Sequence, residues 1–307
     1  MNARSLLSGN LKIWVVLAAA VTAGAVASVA GFGKHDASGT RADGCQVSRV
    51  TPPGSVSDRY DRQVLSLSPV AYLTLGSAAS GTARDLASHS PGGAYLPRGH
   101  PPAVTTLPNG DPAAKFDGLG QYLQVPSAPT LSVPHTGCLT VQAWVRPDTL
   151  QFPREQGSGY TYILGKGTAG KQEYALRMYS YSNSENPPRP NRVSAYVFNL
   201  AGGKGSGAYF QDPVRPGTWM MVTFVVDSRP SATWPAGYIA LYKNDALRGQ
   251  VSLGQFDVTP QASTAPLRVA TRDLQSYFQG AVGKVAVYGS VLSRADISAT
   301  YNAMYGH

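Results

Sequence analysis

The C-terminal third of the chain is a series of short segments in which apolar and polar side chains alternate, each followed by turn-forming residues. Alternation with a period of two is typical of strands that bury one face. The predicted strands here cover residues 219–227, 238–245, 266–270 and 278–288. The series ends in one short helix, because Ser293 and Asp296 form an S-x-x-D capping box just ahead of Ile297. The pattern therefore predicts an all-β fold with one short C-terminal helix.

The same alternation continues upstream, and no helical periodicity longer than two turns precedes residue 293. Further strands are predicted at residues 70–75, 114–116, 122–125, 139–145, 162–164, 174–178 and 193–198. The clearest alternation predicts one shared face for Leu139, Val141, Ala143 and Val145. Residues 76–112, with turn signals such as Asn109-Gly110, are predicted as a long surface loop with a turn near Asp85. Residues 205–207, Gly-Ser-Gly, predict a flexible turn.

Composition limits the class of protein. A chain of 307 residues with 43% hydrophobic residues can bury a real core, as one large β domain or two ordinary ones. Its 33 glycines and 23 prolines supply the many turns of an all-β protein. The net charge is +9, but the lysines and arginines are scattered, with no basic run and no basic helix. A mildly basic, soluble surface is therefore favoured over a nucleic-acid-binding one.

The N-terminus predicts export. Arg4 and Lys12 precede an uncharged run that extends to Lys34. Residues 25–27, Ala-Val-Ala, form an A-x-A site and favour a cleaved signal peptide. The alternative is an uncleaved anchor helix at residues 13–33, since about 20 apolar residues span a bilayer. In either case the rest of the chain is secreted or held at the outer face of the cytoplasmic membrane.

Three regions are expected on this basis: a signal peptide or anchor at 1–33, an exported linker at 34–67 and one domain at 68–307. The linker is rich in Ser, Gly and Pro and has little periodicity. The chain has two cysteines, Cys45 and Cys138. An even number behind an export signal predicts a disulfide, with two unpaired thiols as the alternative. The bridge would hold the linker on the strand that begins near Leu139.

Several motifs in this order resemble the laminin-G-like, concanavalin A-like lectin/glucanase jelly-roll family over residues 68–307. They are Lys115-Phe-Asp-Gly118, Tyr122-Leu-Gln-Val125, Ala143-Trp-Val-Arg-Pro147, Trp219 with Val222 and Phe224, residues 241–245, and Gly280-Ala-Val282 with Val285-Ala-Val-Tyr288. Two positions depart from the family pattern. Asp245 stands where the family usually has Gly, and Gly283-Lys284 stands where it often has two acids.

The resemblance implies a two-sheet antiparallel jelly-roll sandwich with one concave face. It also implies binding of carbohydrate or protein, often at a rim of loops and sometimes beside a calcium ion. For calcium the candidates are Asp85, Asp117 and Asp273, because calcium takes oxygen ligands from carboxylates and loop carbonyls. The alternative for Asp117 is an Asp-Gly turn. The five histidines are isolated and predict no metal cluster.

Catalysis has little support in the sequence. Retaining glycoside hydrolysis needs two carboxyl groups about 5–5.5 Å apart, which on a strand means acids at alternating positions. The chain has three glutamates, Glu155, Glu173 and Glu185, and none has another acid two residues away. Residues 165–171 approach a phosphate-binding loop, but Gln172 replaces the required Ser or Thr, so a hairpin turn is predicted. A diverged polysaccharide hydrolase or lyase remains the alternative to a non-enzyme.

Aromatic residues are the best binding candidates, because sugar rings stack on them. Trp144 and Trp219 are predicted in the core, whereas Trp234 lies in a loop. The candidate ligand-binding residues are Arg177, Tyr179, Tyr181, Tyr196, Asn199 and Trp234, with ordinary packing as the alternative for each. The sequence therefore predicts a non-catalytic, extracellular domain that binds a glycan or a cell-surface partner. A structural protein–protein module of the cell envelope is the second alternative.

Overall fold

A computed structural model describes residues 43–87 and 92–306. These residues belong to one compact unit, Ala42–His307. The predicted export segment lies outside the described residues. Within the described ranges no helix is both long enough and apolar enough to cross a membrane.

The described residues form sixteen strands in two antiparallel sheets, which confirms the predicted sandwich. Seven strands of the first sheet lie in the spatial order β14 (Ala246–Ser252), β13 (Tyr238–Lys243), β12 (Met220–Asp227), β7 (Cys138–Pro147), β16 (Gln279–Tyr288), β5 (Pro112–Asp117) and β4 (Ala103–Thr106); its eighth strand, β1 (Ala71–Leu73), pairs with β16. The second sheet has the order β11 (Ser206–Tyr209), β10 (Val193–Val197), β9 (Lys171–Tyr179), β8 (Tyr160–Thr168), β15 (Leu267–Val269), β6 (Tyr122–Val125), β3 (Gly93–Leu96) and β2 (Thr82–Ala83).

The main core lies between the facing sides of the two sheets. Every second residue of a strand points to the same side, so alternation decides which side chains are buried there. The predicted inner face of β7 is confirmed for all four of its residues, Leu139, Val141, Ala143 and Val145. Tyr174 and Phe224 meet across the sandwich with ring centroids 5.8 Å apart.

Two helices cover the outer side of the first sheet. They are α1 (Arg59–Ser66) and α2 (Arg294–Ala303). The predicted capping box of α2 is confirmed, because Ser293 and Asp296 exchange side-chain and backbone hydrogen bonds. Trp144 is fully buried under these helices, stacked 5.9 Å from Tyr301 and edge-on to Tyr60 at 6.3 Å. The predicted linker 34–67 therefore contributes a packed helix.

Other segments also differ from the predictions. The region expected to be a surface loop, 76–112, contains the short strands β2, β3 and β4. The prediction of a flexible turn at 205–207 is wrong for Ser206 and Gly207, which lie in β11, an edge strand of the second sheet. Gly207 is required there, since a Cβ atom would lie 2.4 Å from the Tyr196 ring. The hairpin predicted at 165–171 is confirmed, because it joins β8 to β9.

The predicted disulfide is confirmed. Cys45 and Cys138 are bridged, with their Cα atoms 5.8 Å apart although they are 93 positions apart in sequence. The alternative of two unpaired thiols is therefore wrong. The bridge attaches the segment before α1 to the first residue of β7.

Lys284 also attaches α1 to the first sheet. It lies in β16 with its side chain only 2% exposed. Its Nζ atom is 2.5 Å from Asp61 Oδ1 in α1 and 2.6 Å from Asp111 Oδ2. The Tyr72 hydroxyl donates a further hydrogen bond to Asp61. We refer to Lys284, Asp61 and Asp111 as the Lys284 cluster. Lys284 itself stands at a position where the family often has an acidic residue.

The buried tyrosines around α1 predict a loss of stability in alkali. Burial raises the pKa of Tyr60, Tyr72 and Tyr288 above the ordinary value of 10. The unfolded chain loses these protons first, so the stabilisation is complete below pH 10 and is lost as the pH rises above it. We expect the free energy of unfolding to fall by about 1 kcal/mol per pH unit for each such tyrosine.

Urea unfolding measured across this pH range checks the expectation. Tyr288→Phe should make the fall shallower, whereas Tyr181→Phe, which changes a phenol that is 71% exposed, is the matched control. Equal slopes for wild type and Tyr288→Phe would contradict the prediction.

Candidate functional site

The outer side of the second sheet carries tyrosines interleaved with arginines. In β9, Tyr174, Leu176 and Met178 belong to the core, so Arg177 and Tyr179 lie on the opposite side. Paired residues of antiparallel strands share a side. Tyr179 pairs with Tyr160, whereas Arg177 pairs with Tyr162 in β8 and with Ser194 in β10. The alternation of β10 adds Tyr196 to this side.

Arg177 lies at the centre of this group. Its guanidinium carbon is 4.0 Å from the ring centroid of Tyr196 and 4.5 Å from that of Tyr160. Its Nη2 donates to the Tyr179 hydroxyl at 2.9 Å, and its Nε donates to Ser194 Oγ at 3.3 Å. Burial opposes the charged form, but interactions with Tyr179, Tyr196 and nearby groups outweigh it and raise the pKa of Arg177. The buried guanidinium is therefore a fixed positive charge.

A second arginine reaches the same tyrosines from the loop between β9 and β10. Arg189 Nη1 donates to the Tyr196 hydroxyl at 2.9 Å and to the Tyr179 hydroxyl at 3.2 Å. It also forms an ion pair with Glu185 at 3.2 Å, and its guanidinium lies 4.4 Å from the Tyr209 ring centroid. We call Tyr160, Arg177, Tyr179, Arg189, Tyr196 and Tyr209 the tyrosine–arginine surface.

This surface has a buried layer and an accessible layer. Arg177, Tyr179 and Tyr196 are buried, whereas Tyr160, Arg189 and Tyr209 are half-buried. Arg192 lies beside Tyr209, with its guanidinium carbon 5.9 Å from that ring. Arg177 and Arg189 share one carboxylate, Glu185, and Arg192 adds a third positive charge beside Tyr209, which leaves an excess of positive charge. Such an arrangement presents apolar ring faces and guanidinium donors to a ligand.

The structure brings together three of the six predicted ligand-binding residues, Arg177, Tyr179 and Tyr196. Tyr181 is exposed at the start of the loop, and its backbone N–H donates to Leu150 O at 2.6 Å.

The other two candidates lie elsewhere. Asn199 holds a neighbouring loop, donating to Asp257 O at 3.1 Å and accepting from Thr259 N at 2.9 Å. Trp234 lies in the connection between β12 and β13, with its ring centroid 5.7 Å from that of Tyr238. Ligand binding by the six residues stays a prediction.

Sequence reasoning missed three members of the surface: Tyr160, Arg189 and Tyr209. Tyr160 could have been found by continuing the β8–β9 hairpin outward, because that pairing puts it opposite Tyr179. Tyr209 lies in β11, whose first two residues belong to the segment that the sequence predicts as a turn. Arg189 comes from a loop, where no periodicity predicts the direction of a side chain.

The three calcium candidates are occupied by other contacts. Asp85 Oδ1 accepts from the backbone N–H groups of Tyr72 and Ala87 at 2.7 and 2.9 Å. Asp117 Oδ1 accepts from Leu119 N at 2.8 Å, as expected of an Asp-Gly turn.

The third candidate, Asp273, pairs with Arg272 at 2.5 Å. In the described parts of the chain none of the three belongs to a group of three or more clustered His, Cys, Asp or Glu ligands. They therefore do not fit a shared calcium site, and calcium binding stays a prediction.

The glutamates that would be needed for glycoside hydrolysis are also engaged. Glu173 is buried against Lys166 and accepts from Ser263 N at 2.7 Å. Glu155 accepts from Phe152 N at 2.8 Å and from Ser180 Oγ at 3.0 Å. Glu185 pairs with Arg189 and Arg177. Each of the three carboxylates thus holds neighbouring side chains or backbone in place.

Comparison with solved structures finds the same fold at low sequence identity. Domain 4 of AbnA, a GH43 extracellular arabinanase from Geobacillus stearothermophilus in complex with arabinotriose, has a TM-score of 0.50 and 15% identity, covering 75% of this chain and 98% of that one. The botulinum neurotoxin serotype D ligand-binding domain in complex with N-acetylneuraminic acid has a TM-score of 0.53 and 12% identity, covering 76% and 50%. The botulinum neurotoxin DC binding domain in complex with rat synaptotagmin II has a TM-score of 0.53 and 10% identity, covering 77% and 52%.

The chain spans about half the length of the toxin domains that it matches. Comparison with curated protein sequences finds no match. Residues 117–298, more than half of the chain, match a family described as the concanavalin A-like lectin/glucanases superfamily. The matched residues extend from the end of β5 into α2 and include most of both sheets. The chain belongs to the concanavalin A-like lectin/glucanases superfamily.

Proposed function

We propose that this domain is a non-catalytic, extracellular recognition module that binds an acidic glycan at the tyrosine–arginine surface. One observation carries the proposal: β8, β9, β10 and β11 place four tyrosines on one side of the sheet around the guanidinium of Arg177, and Arg189 reaches the same rings from the β9–β10 loop. A side exposed only to water has no need of a buried arginine that shares a tyrosine hydroxyl with a second arginine. The arrangement is suited to a ligand with both apolar faces and negative groups.

The chemistry of each group supports this assignment. Sugar rings present C–H faces that pack on the half-buried rings of Tyr160 and Tyr209. Arg189 and Arg192 can donate to carboxylate or sulfate groups in a bidentate geometry. Arg177 lies beneath and adds fixed positive charge. The formal net charge of +9 favours an anionic polymer over a cationic one.

The structural neighbours agree with a binding role. Two are described in complex with a carbohydrate, arabinotriose or N-acetylneuraminic acid, and one in complex with a protein. A non-catalytic role is supported by the three glutamates, each of which is held in an ion pair or hydrogen bonds. Extracellular location is proposed from the N-terminal apolar run, as a secreted chain or one anchored by residues 13–33.

A protein partner on the cell surface is the second candidate function. Tyrosine and arginine are enriched among the residues that contribute most to protein interfaces. The exposed Tyr181 beside the same loop favours this alternative. A glycan array and crosslinking on intact cells, followed by identification of attached proteins, separate the two candidates.

The proposal predicts that Arg189→Gln with Arg192→Gln weakens binding to acidic polysaccharides about tenfold or more, since hydrogen bonds to charged groups contribute about 1.5–3 kcal/mol. Binding should also weaken as salt is added. Surface plasmon resonance of the purified chain on immobilised uronic-acid and sulfated polysaccharides measures both effects, with calcium and with chelator.

Arg62→Gln with Arg59→Gln, a matched charge change on α1, is the control. Equal losses for the two double variants would mean that net charge alone attracts the polymer and would contradict the assigned surface. Absence of binding to every glycan would overturn glycan recognition and leave the protein partner.

A further inference from the structure

A cavity of about 440 Å³ lies beside Trp219, where the connection from β11 to β12 meets the turn from β13 to β14. The volume falls within the range of about 300–1,000 Å³ that is typical of small-molecule sites. Its wall combines apolar surface with charge, and the residues that supply these are Pro213, Met220, Asp212, Arg215 and Lys243. The cavity shares no residue with the tyrosine–arginine surface.

The indole of Trp219 is held in place from outside the cavity. Its Nε1–H donates to Thr106 O at 3.0 Å, and the Arg146 guanidinium carbon lies 5.2 Å from its ring centroid. The sequence predicted Trp219 in the core, but the structure shows it half-buried as part of the cavity wall. An aromatic ring that is already fixed loses little conformational entropy when a ligand packs on it.

Positive charge predominates around the cavity. Asp212 is the one acidic residue among the described residues that line it. Lys243 Nζ is 2.6 Å from Asp212 Oδ2, and Arg248 Nε is 3.6 Å from Asp212 Oδ1. Burial raises the pKa of Asp212, but the hydrogen bond of Lys243 and the charges of Lys243 and Arg248 outweigh burial and lower it. The ionised carboxylate thus balances one of these two cations, and the exposed Arg215 adds a further positive charge.

Two donor groups in the cavity wall have no partner among the described residues. Arg215 makes no hydrogen bond and no ion pair there. Asn244 has a positive φ of 59° in the β13–β14 turn, and its Oδ1 accepts from Met221 N at 3.1 Å, whereas its Nδ2 makes no hydrogen bond. A carboxylate suits such donors, because its two oxygens match the fork of a guanidinium and accept further hydrogen bonds.

We propose that this cavity binds an aromatic carboxylate, meaning an apolar ring that bears one carboxyl group. The ring packs on the Trp219 indole, and the carboxylate accepts hydrogen bonds from Arg215 and from Asn244 Nδ2. The ionised Asp212 repels a second negative charge, which disfavours dianions such as phosphate monoesters. Two sources share this chemistry: a free aromatic acid and the C-terminal aromatic residue of a protein. The site is separate from the acidic-glycan surface, so either proposal can fail alone.

The test uses the purified full-length chain with 2-naphthoate and with a short peptide that ends in phenylalanine. Saturation-transfer NMR detects binding, and calorimetry measures its affinity. Acetate, which lacks the ring, should bind at least tenfold more weakly, because it buries little apolar surface. 2-Naphthamide and the amidated peptide, which lack the charge, should also bind at least tenfold more weakly. Binding of naphthoate but not of the peptide identifies a free acid as the ligand; binding of the peptide identifies a chain terminus.

Variants place the ligand in this cavity. Arg215→Gln should weaken the binding of the aromatic carboxylate about tenfold. Arg98→Gln, which removes the same charge from another exposed arginine, is the matched control and should leave the affinity unchanged. Asn244→Asp tolerates the positive φ and keeps the acceptor for Met221 N, but it replaces the Nδ2 donor by a negative charge, so it should also weaken binding.

Thermal unfolding identifies any variant that is less stable; if Asn244→Asp is destabilised, the exposed Arg215→Gln decides. The proposal is overturned if neither aromatic carboxylate binds the wild-type chain, or if acetate or the neutral amides bind as tightly. Equal affinities of Arg215→Gln and Arg98→Gln would also overturn it, because general attraction to a basic protein would then explain the binding.

Discussion

Replacing the two bridged cysteines, Cys45→Ser with Cys138→Ser, is expected to lower the free energy of unfolding by about 4–5 kcal/mol. The bridge closes a loop of 93 positions, and a loop of that length removes much of the conformational entropy of the unfolded chain. The loss is large against the total stability of about 5–15 kcal/mol that is usual for a domain. Urea unfolding of the oxidised wild type and the double variant measures it.

Two details make this experiment decisive. The free energies should be compared rather than the midpoints, because a disulfide also changes the surface exposed by the unfolded chain. Wild type unfolded in a thiol reductant is the matched control and should agree with the double variant. A loss below about 1 kcal/mol would contradict the prediction. It would show that residual structure in residues 46–70 restrains the unfolded chain even without the bridge.

Lys284→Met is expected to lower the free energy of unfolding by about 3–5 kcal/mol. Removal of one partner from a buried ion pair leaves the remaining charges without compensation. In this protein the remaining charges are Asp61 and Asp111, at 2.5 and 2.6 Å from the lost ammonium. The methionine keeps most of the volume of the side chain, so the effect measures charge rather than packing.

Lys115→Met is the matched control. Lys115 pairs with Asp148 at 3.2 Å on the same sheet, but its side chain is 46% exposed, so we expect a loss of at most about 1 kcal/mol. Chemical unfolding of both variants checks the difference. Combining Lys284→Met with Asp61→Asn should cost less than the sum of the single changes, because the two residues share one contact. Additive losses would contradict the assigned pair.

The strands with regular alternation were predictable because one face of each is buried in the core. Residues 122–125 and 139–145 are the clearest examples, and both correspond to strands in the structure. Strand β14 has no fully buried residue, so its sequence has no alternation to detect. Helix α1 has only eight residues, and a helix this short depends on tertiary packing rather than on its own sequence.

The candidate site was predictable only in part for a related reason. Alternation in β9 and β10 predicts Arg177, Tyr179 and Tyr196, but Arg189 reaches them through an irregular loop. The Lys284 cluster shows the same limit. The sequence shows that Lys284 departs from the family pattern, but its partner Asp61 is 223 positions away, and only the fold brings them together.

The disulfide also determines how the domain carries mechanical load. Cys45 is bonded to the first residue of β7, a strand that is hydrogen-bonded to β12 on one side and β16 on the other. A pulling force on the chain ahead of Cys45 is therefore transmitted through the disulfide to β7, an interior strand of the first sheet. The residues between the two cysteines, including α1, cannot be pulled out while the bridge is intact. A ligand held on the second sheet would thus be pulled against the sandwich as a whole rather than against its N-terminal segment.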